Sequence, residues 1–293
     1  MINHLTPKTA ELLKLGEAER ITAILNYKWI PYTRASDTLK IMEDLLVYPK
    51  SDRMPNLLLV GDSNNGKTAI LKRFCKNHPP FSKEDSGSLI FPVLYIQAPP
   101  EPDERRLYNI ILDTVSAPYK INDRVDKKQI QTINTLKNLQ VRLLIIDEIQ
   151  HILAGNQNKQ RQFLNVVKYL SNELTIPFVG AGIKTALNAI QNDEQLSNRF
   201  EPKILHRWKI GEEYNRLLKS FESLIPLHNA SNLTEDTIAL RILSMSEGII
   251  GEISIILKKA SVMAVQNKSE KISLKLLEKI NYVSPSDRMK QFR

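Results

Sequence analysis

The chain has 293 residues, 42% of them hydrophobic and 25% charged, and a formal net charge of +9. That length suits one large domain or two smaller ones, and the composition is ordinary for a soluble globular protein. A single cysteine, Cys75, excludes an intrachain disulfide and fits a reducing, cytoplasmic setting. The positive balance favours an acidic partner, nucleic acid first and an anionic membrane surface second. There is no run of 18 apolar residues and no basic-plus-apolar leader pattern, and the five histidines lack metal-ligand spacing.

Residues 1–50 read as a helical N-terminal extension. Thr9 to Leu15 and Ala18 to Tyr27 look helical. Trp29-Ile30-Pro31-Tyr32 interrupts the pattern, either as a packed corner or as a surface for a base. Ala35 to Tyr48 resumes it, with Leu39, Met42, Leu45 and Leu46 at helical spacing, and Pro49 stops it.

Leu57-Leu58-Leu59-Val60 is a short apolar run of the kind that forms a buried parallel strand. Gly61-Asp62-Ser63-Asn64-Asn65-Gly66-Lys67-Thr68 follows and fits G-x-x-x-x-G-K-[ST], the Walker A phosphate-binding loop. Ala69 to Phe74 then reads as a helix. A loop between a strand and a helix N-terminus offers unpaired backbone N–H groups and a favourable dipole to a polyphosphate. Gly61 and Gly66 are expected to let the backbone approach the phosphates, Lys67 to reach the β- and γ-phosphates of ATP, and Thr68 to place its hydroxyl on Mg2+.

Residues 81–90 are polar and read as a loop. Val93 to Ile96 is a second strand, Glu101 to Val115 a helix carrying Arg105 and Arg106 near its start, and Ile130 to Leu139 another helix. Between these helices lie Lys120, Arg124, Lys127 and Lys128. Val141-Arg142-Leu143-Leu144-Ile145-Ile146-Asp147-Glu148 reads as a buried strand with two carboxylates at its tip, the Walker B pattern. Asp147 is expected to hold Mg2+ and Glu148 to act as general base on the attacking water. Arg161 to Glu173 is a helix and Ile176 to Gly180 a fourth strand. Gly180-Ala181-Gly182 is not a dinucleotide fingerprint, because Thr185 stands where the third glycine is required. Gln195 to Phe200 precedes a further strand, Ile204 to Ile210.

The character becomes all-helical from Gly211: Glu212 to Leu224, a helix capped by Thr234-Glu235-Asp236 and running to Ser246, Gly251 to Gln266, and Ser273 to Ile280. The expected division is 1–50, an α/β nucleotide-binding domain over 51–210, a helical lid over 211–283 and a polar tail over 284–293 that includes Arg288, Lys290 and Arg293. The expected fold class is α/β: a P-loop NTPase of the AAA+/ASCE kind with a central parallel sheet and a small all-helical lid.

The loop Gly61 to Thr68, the preceding Arg53 to Val60, and Arg73-Phe74 with His78-Pro79-Pro80 resemble the TniB proteins, close relatives of TnsC. His4 to Pro7, Glu19-Arg20-Ile21 and Trp29-Ile30 look like the same family. The resemblance implies an AAA+ ATPase that regulates DNA transposition. Such proteins assemble on double-stranded DNA as ATP-dependent oligomers, often filaments, and connect a TniQ-like targeting factor to a DDE transposase. It also implies that Arg199, beside Phe200, is an arginine finger for a neighbouring subunit's γ-phosphate. Arg105, Arg106, Lys120, Arg124, Lys127 and Lys128 are candidates for DNA backbone contacts, which carry no base sequence and weaken with salt. Two AAA+ features are unassigned: at the end of the Ile176 to Gly180 strand Gly180 and Ala181 are poor candidates for the usual polar residue and Lys184 or Thr185 lie slightly late, and Ser254 stands where a lid arginine is often found. Slow or partner-dependent hydrolysis is therefore expected. The competing readings are a small-molecule or nucleoside kinase, for which no acceptor-pocket signal exists, and a non-hydrolysing nucleotide switch.

Overall fold

The computed structural model describes residues 4–26, 28–153, 157–191 and 197–290. Of the positions singled out above, Tyr27, Gln195, Leu196 and Arg293 lie outside the described residues.

The N-terminal stretch forms α1 (Pro7–Glu11), a 3-10 turn over Leu12–Lys14, α2 (Glu17–Leu25) and α3 (Thr33–Leu46). Next come β1 (Asn56–Gly61), α4 (Lys67–Asn77) and two short strands, β2 (Phe81–Ser82) and β3 (Leu89–Ile90). These two pair antiparallel, Phe81 with Ile90, so the segment expected as loop is a small hairpin. The chain continues through β4 (Val93–Gln97), α5 (Glu104–Thr114), α6 (Val125–Asn138), β5 (Leu143–Asp147), a 3-10 turn over Ile149–Leu153, α7 (Gln157–Leu174), β6 (Phe178–Gly182), α8 (Lys184–Gln191) and β7 (Phe200–Leu205). Five helices close it: α9 (Glu212–Leu224), α10 (Asp236–Ser246), α11 (Ile250–Gln266), α12 (Leu274–Lys279) and α13 (Pro285–Lys290).

The chain divides into two units. One holds residues 37–63 and 67–205; the other holds 1–36, 64–66 and 206–293.

The first of these is built on a five-stranded parallel sheet in the order β4-β5-β6-β1-β7. β1 and β5 are buried at every residue, which is why their sequences are unbroken aliphatic runs rather than alternating ones. β7 is an edge strand with exposed positions in its middle. It begins at Phe200, not Ile204, and contains Pro202, tolerable at an edge because Pro lacks the N–H a central strand needs. Asn56, only 4% exposed, ties three strands together. Its Oδ1 accepts from the Phe178 N–H at 2.8 Å, and its own N–H donates to the Arg199 carbonyl at 3.0 Å. On α7, Phe163, Leu164, Val167, Leu170 and Leu174 form one buried stripe at helical spacing.

The other unit packs helices α9–α13 with α2. Tyr214, Leu217, Leu218 and Phe221 recur on one face of α9 and join Ile242, Ile253, Ile256 and Leu257 in its core. α2 belongs to this unit through the buried Arg20, which pairs with Glu270. Tyr32 packs edge-on against Trp208 with ring centroids 5.3 Å apart, and the Arg34 guanidinium lies over the Trp208 ring, so the Trp29–Tyr32 stretch includes a packed corner. The expected cap of α10 differs: Glu235 is at the cap position without a side-chain bond, and Asp236 supplies a negative charge in the first turn.

Candidate nucleotide-binding site

The sheet-bearing unit brings the two predicted motifs together at the C-terminal ends of β1 and β5. The Thr68 hydroxyl donates to Asp147 Oδ2 at 2.7 Å. Tyr95 on β4 donates its hydroxyl to the same oxygen at 2.9 Å. Register explains that contact: Tyr95 pairs with Ile145 and Gln97 with Asp147, so β4 delivers a side chain beside the carboxylate. Burial, then the Asp147 charge, push the Tyr95 phenol well above its ordinary pKa, which keeps it a proton donor. Asp147 is 1% exposed and its Oδ1 accepts the Glu148 N–H at 2.9 Å. A hydroxyl and a carboxylate within hydrogen-bond distance are hard oxygen donors of the kind Mg2+ takes, and Thr68 and Asp147 are the residues that would hold it.

Lys67 opens α4 and is 5% exposed. Its ammonium donates to the carbonyls of Gly61 and Asp62 at 2.8 and 2.9 Å. Burial lowers its pKa, opposed by the charges of Glu148, Asp147 and Asp62. The left-handed backbone that shapes the loop falls at Asn64 (φ +61°) and Gly66 (φ +89°). Gly61 is the last residue of β1 and extended, so the loop's turn rests on Asn64 and Gly66.

Glu148 also has positive φ, +56°. A non-glycine residue there is strained and must be held by its surroundings. Gln150 supplies one hold that the sequence did not reveal. Its Nε2 donates to the Glu148 carboxylate and its Oε1 accepts the Ile183 N–H at 3.3 Å, just past the end of β6. This accounts for Gly180-Ala181-Gly182: a Cβ on Gly180 would sit 2.9 Å from Ile149 Cδ1, and one on Gly182 2.8 Å from Gln150 Oε1. The glycines let the 3-10 turn lie against β6.

Asn64, Asn65 and Gly66, the tip of the loop, group with the helical unit. There the Ile250 and Gly251 N–H groups at the start of α11 donate to Asn65 Oδ1 (3.4 Å) and the Asn64 carbonyl (3.0 Å). Ser254 instead lines a small cavity with Ile24, Lys28 and Lys258.

Arg199 precedes β7, at the end of the sheet opposite the loop. Phe200 pairs with Asn56 and Leu205 with Gly61, so Arg199 stands roughly 20 Å from the loop along the strand. Its guanidinium donates to Asn172 Oδ1 at 2.9 Å.

The six DNA candidates do not form one patch. Arg105 and Arg106 are exposed at the first turn of α5, on the loop's side of the sheet. Lys120, Arg124 and Lys127 lie beyond its other end, about 16 Å away along the helix. Lys127 pairs with Asp123 and Arg124 with Asp126, each at 3.0 Å. Lys128 must be withdrawn: it is fully buried, its ammonium donates to Asn109 Oδ1 and lies over the Tyr119 ring, and it presents no charge to a phosphate. Among the described residues no helix is long and apolar enough to cross a membrane.

Comparison with solved structures shows the fold. The chain is similar to the Aeropyrum pernix ORC2 protein (ADPNP-ADP complexes), at 16% identity and TM-score 0.60, over 88% of this chain and 70% of that one. It is also similar to the Aeropyrum pernix ORC1 protein in complex with DNA, at 15% identity and TM-score 0.58, over 92% and 69%. A third likeness is to Cdc6p from Pyrobaculum aerophilum, at 15% identity and TM-score 0.57, over 85% and 67%. The fold is that of P-loop AAA+ proteins. Comparison with curated proteins gives no match. The profile described as "Bacterial TniB protein" matches residues 20–210, about two thirds of the sequence, and the chain belongs to the TniB family.

Proposed function

We propose that this protein is an ATP-dependent, DNA-binding AAA+ regulator of DNA transposition, cytoplasmic, which oligomerises on target DNA and links a TniQ-like targeting protein to a DDE transposase. The observation that carries the reading is the Thr68–Asp147 hydrogen bond, which joins Walker A to Walker B in a TniB-family chain. In the reaction, Mg2+ bound at Thr68 and Asp147 would neutralise charge on the phosphates. Lys67 moves from its backbone carbonyls to the polyphosphate. Glu148 takes the proton of the attacking water, with Gln150 and the local backbone fixing its carboxylate. Tyr95 orients Asp147. Arg199, remote from its own loop, serves the loop of a neighbouring copy. The net charge of +9 and the exposed Arg105 and Arg106 support duplex DNA as the partner; Lys120, Arg124 and Lys127 stand second, their charge partly met by Asp123 and Asp126.

The test is binding of a labelled duplex with and without a slowly hydrolysed ATP analogue. Binding is expected to require the analogue, to show little sequence preference, to fall steeply with salt, and to be lost in Lys67→Ala. Equally tight binding by nucleotide-free protein at moderate salt would overturn the proposal.

A further inference from the structure

The tip of the nucleotide loop does work for α11. Ile249 at that helix's N-cap position has no side-chain oxygen, and a helix start leaves its first N–H groups unpaired. The Asn64 carbonyl and Asn65 Oδ1 fill the gap, taking the N–H groups of Gly251 and Ile250. Gly251 is required by this approach, since a Cβ there would lie 2.0 Å from Asn64 Oδ1. One residue on, Glu252 reaches back: Asn64 Nδ2 donates to its Oε1 at 3.1 Å.

Glu252 is a carboxylate only 5% exposed, and a buried carboxylate needs partners. It has two more beyond the loop. The Tyr282 hydroxyl donates to Oε2 at 2.6 Å, and the Arg288 guanidinium spans both oxygens. The Arg288 guanidinium also lies over the Tyr282 ring, its carbon 5.5 Å from the centroid. The segment is fastened a second time where the Ser286 N–H donates to Glu247 Oε1 at 2.7 Å. Burial by itself would raise the Glu252 pKa, but the bonds from Arg288, Tyr282 and Asn64 outweigh it and hold the carboxyl below its ordinary value. Pro285–Lys290, within the polar tail expected from sequence, is thus a docked helix whose arginine ends one bond away from the Walker A loop.

We infer that Glu252 is a positioning residue for the nucleotide loop and that Arg288 of the C-terminal helix neutralises it, so that docking of this helix sets the affinity for ATP. The inference rests on the nucleotide-binding reading of the loop. With Arg288 in place, Glu252 orients Asn64 as a neutralised ion pair. Without it, an uncompensated carboxylate sits beside a loop that must accept a polyphosphate.

The experiment is equilibrium titration of the full-length protein with a fluorescent ATP analogue and Mg2+. Lys67→Ala, Arg288→Ala, and Arg288→Ala combined with Glu252→Gln are compared with wild type. Arg288→Ala is expected to weaken binding about tenfold, and adding Glu252→Gln to restore it to within about twofold, because an amide still accepts from Asn64 without the charge. A helix that only props up the fold would give no such rescue. If Lys67→Ala loses binding while Arg288→Ala binds like wild type, or the double variant stays as weak as Arg288→Ala, the inference fails and the nucleotide reading stands. If Lys67→Ala binds as wild type does, the nucleotide reading itself fails.

Discussion

Glu148 and Gln150 are separated by one residue and play opposite parts. Glu148 is the proposed general base, at a backbone angle that an ordinary residue rarely adopts. Gln150 carries none, but it bridges that carboxylate to the Ile183 N–H. Removing the carboxylate in Glu148→Gln is expected to lower ATP turnover by about 10²–10⁴-fold, the range for a lost general base. Gln150→Ala is expected to lower kcat by roughly tenfold while the nucleotide Kd stays unchanged, since it touches the base and not the loop. Single-turnover hydrolysis and nucleotide titration together check both. Unaltered turnover in Glu148→Gln would leave a non-hydrolysing switch as the better account. Cys75 gives a separate check on packing. Burial pushes its thiol to about 11, so at pH 8 alkylation in the folded protein is expected to be about two orders of magnitude slower than for a free thiol of ordinary pKa. Rates measured before and after unfolding test this.

At the level of elements, the strands were legible where the chain commits both faces to the interior, as in β1 and β5, and illegible where it does not. The sequence pattern points to a strand four residues later than β7 begins, because the start of β7 carries Glu201 and Pro202, an edge pattern, while Ile204 to Ile210 looks more like a strand. β2 and β3 are two residues each, too short to show a period. The same division holds for the site. Walker A and Walker B are contiguous, so their chemistry can be read from spacing. Tyr95, Gln150, Glu252 and Arg288 reach their places through strand register, a turn against β6, and a docked helix, and no local pattern announces them. Asn56 belongs with these. It looks like a polar residue before a strand, yet it accepts the buried Phe178 N–H. Asn56→Ala would leave that donor unpaired and is expected to cost about 1–3 kcal/mol, lowering the thermal midpoint by several degrees without altering the nucleotide loop.

For the molecule as a whole, the decisive placement is that of Arg199. It stands at the far end of the sheet from Gly61, roughly 20 Å along the strand, and within its own chain it bonds Asn172. No rotamer of one side chain covers that span, so a catalytic Arg199 must act on another copy. A head-to-tail interface, where one face of a subunit meets a different face of the next, generates rings or filaments. It also makes complementation possible. Arg199→Ala keeps an intact loop and Glu148 but offers its neighbour no finger. Glu148→Gln offers a finger but has no base. Each alone is expected to be nearly inactive. In an equal mixture, about a quarter of head-to-tail interfaces would join an intact loop from the first to an intact finger from the second. ATP turnover in the presence of duplex DNA is therefore expected to recover towards about a quarter of the wild-type rate, and to depend on mixing before assembly. If the mixture is no more active than its components, although both variants enter common oligomers by sedimentation, then Arg199 is an intramolecular partner of Asn172 and not a finger.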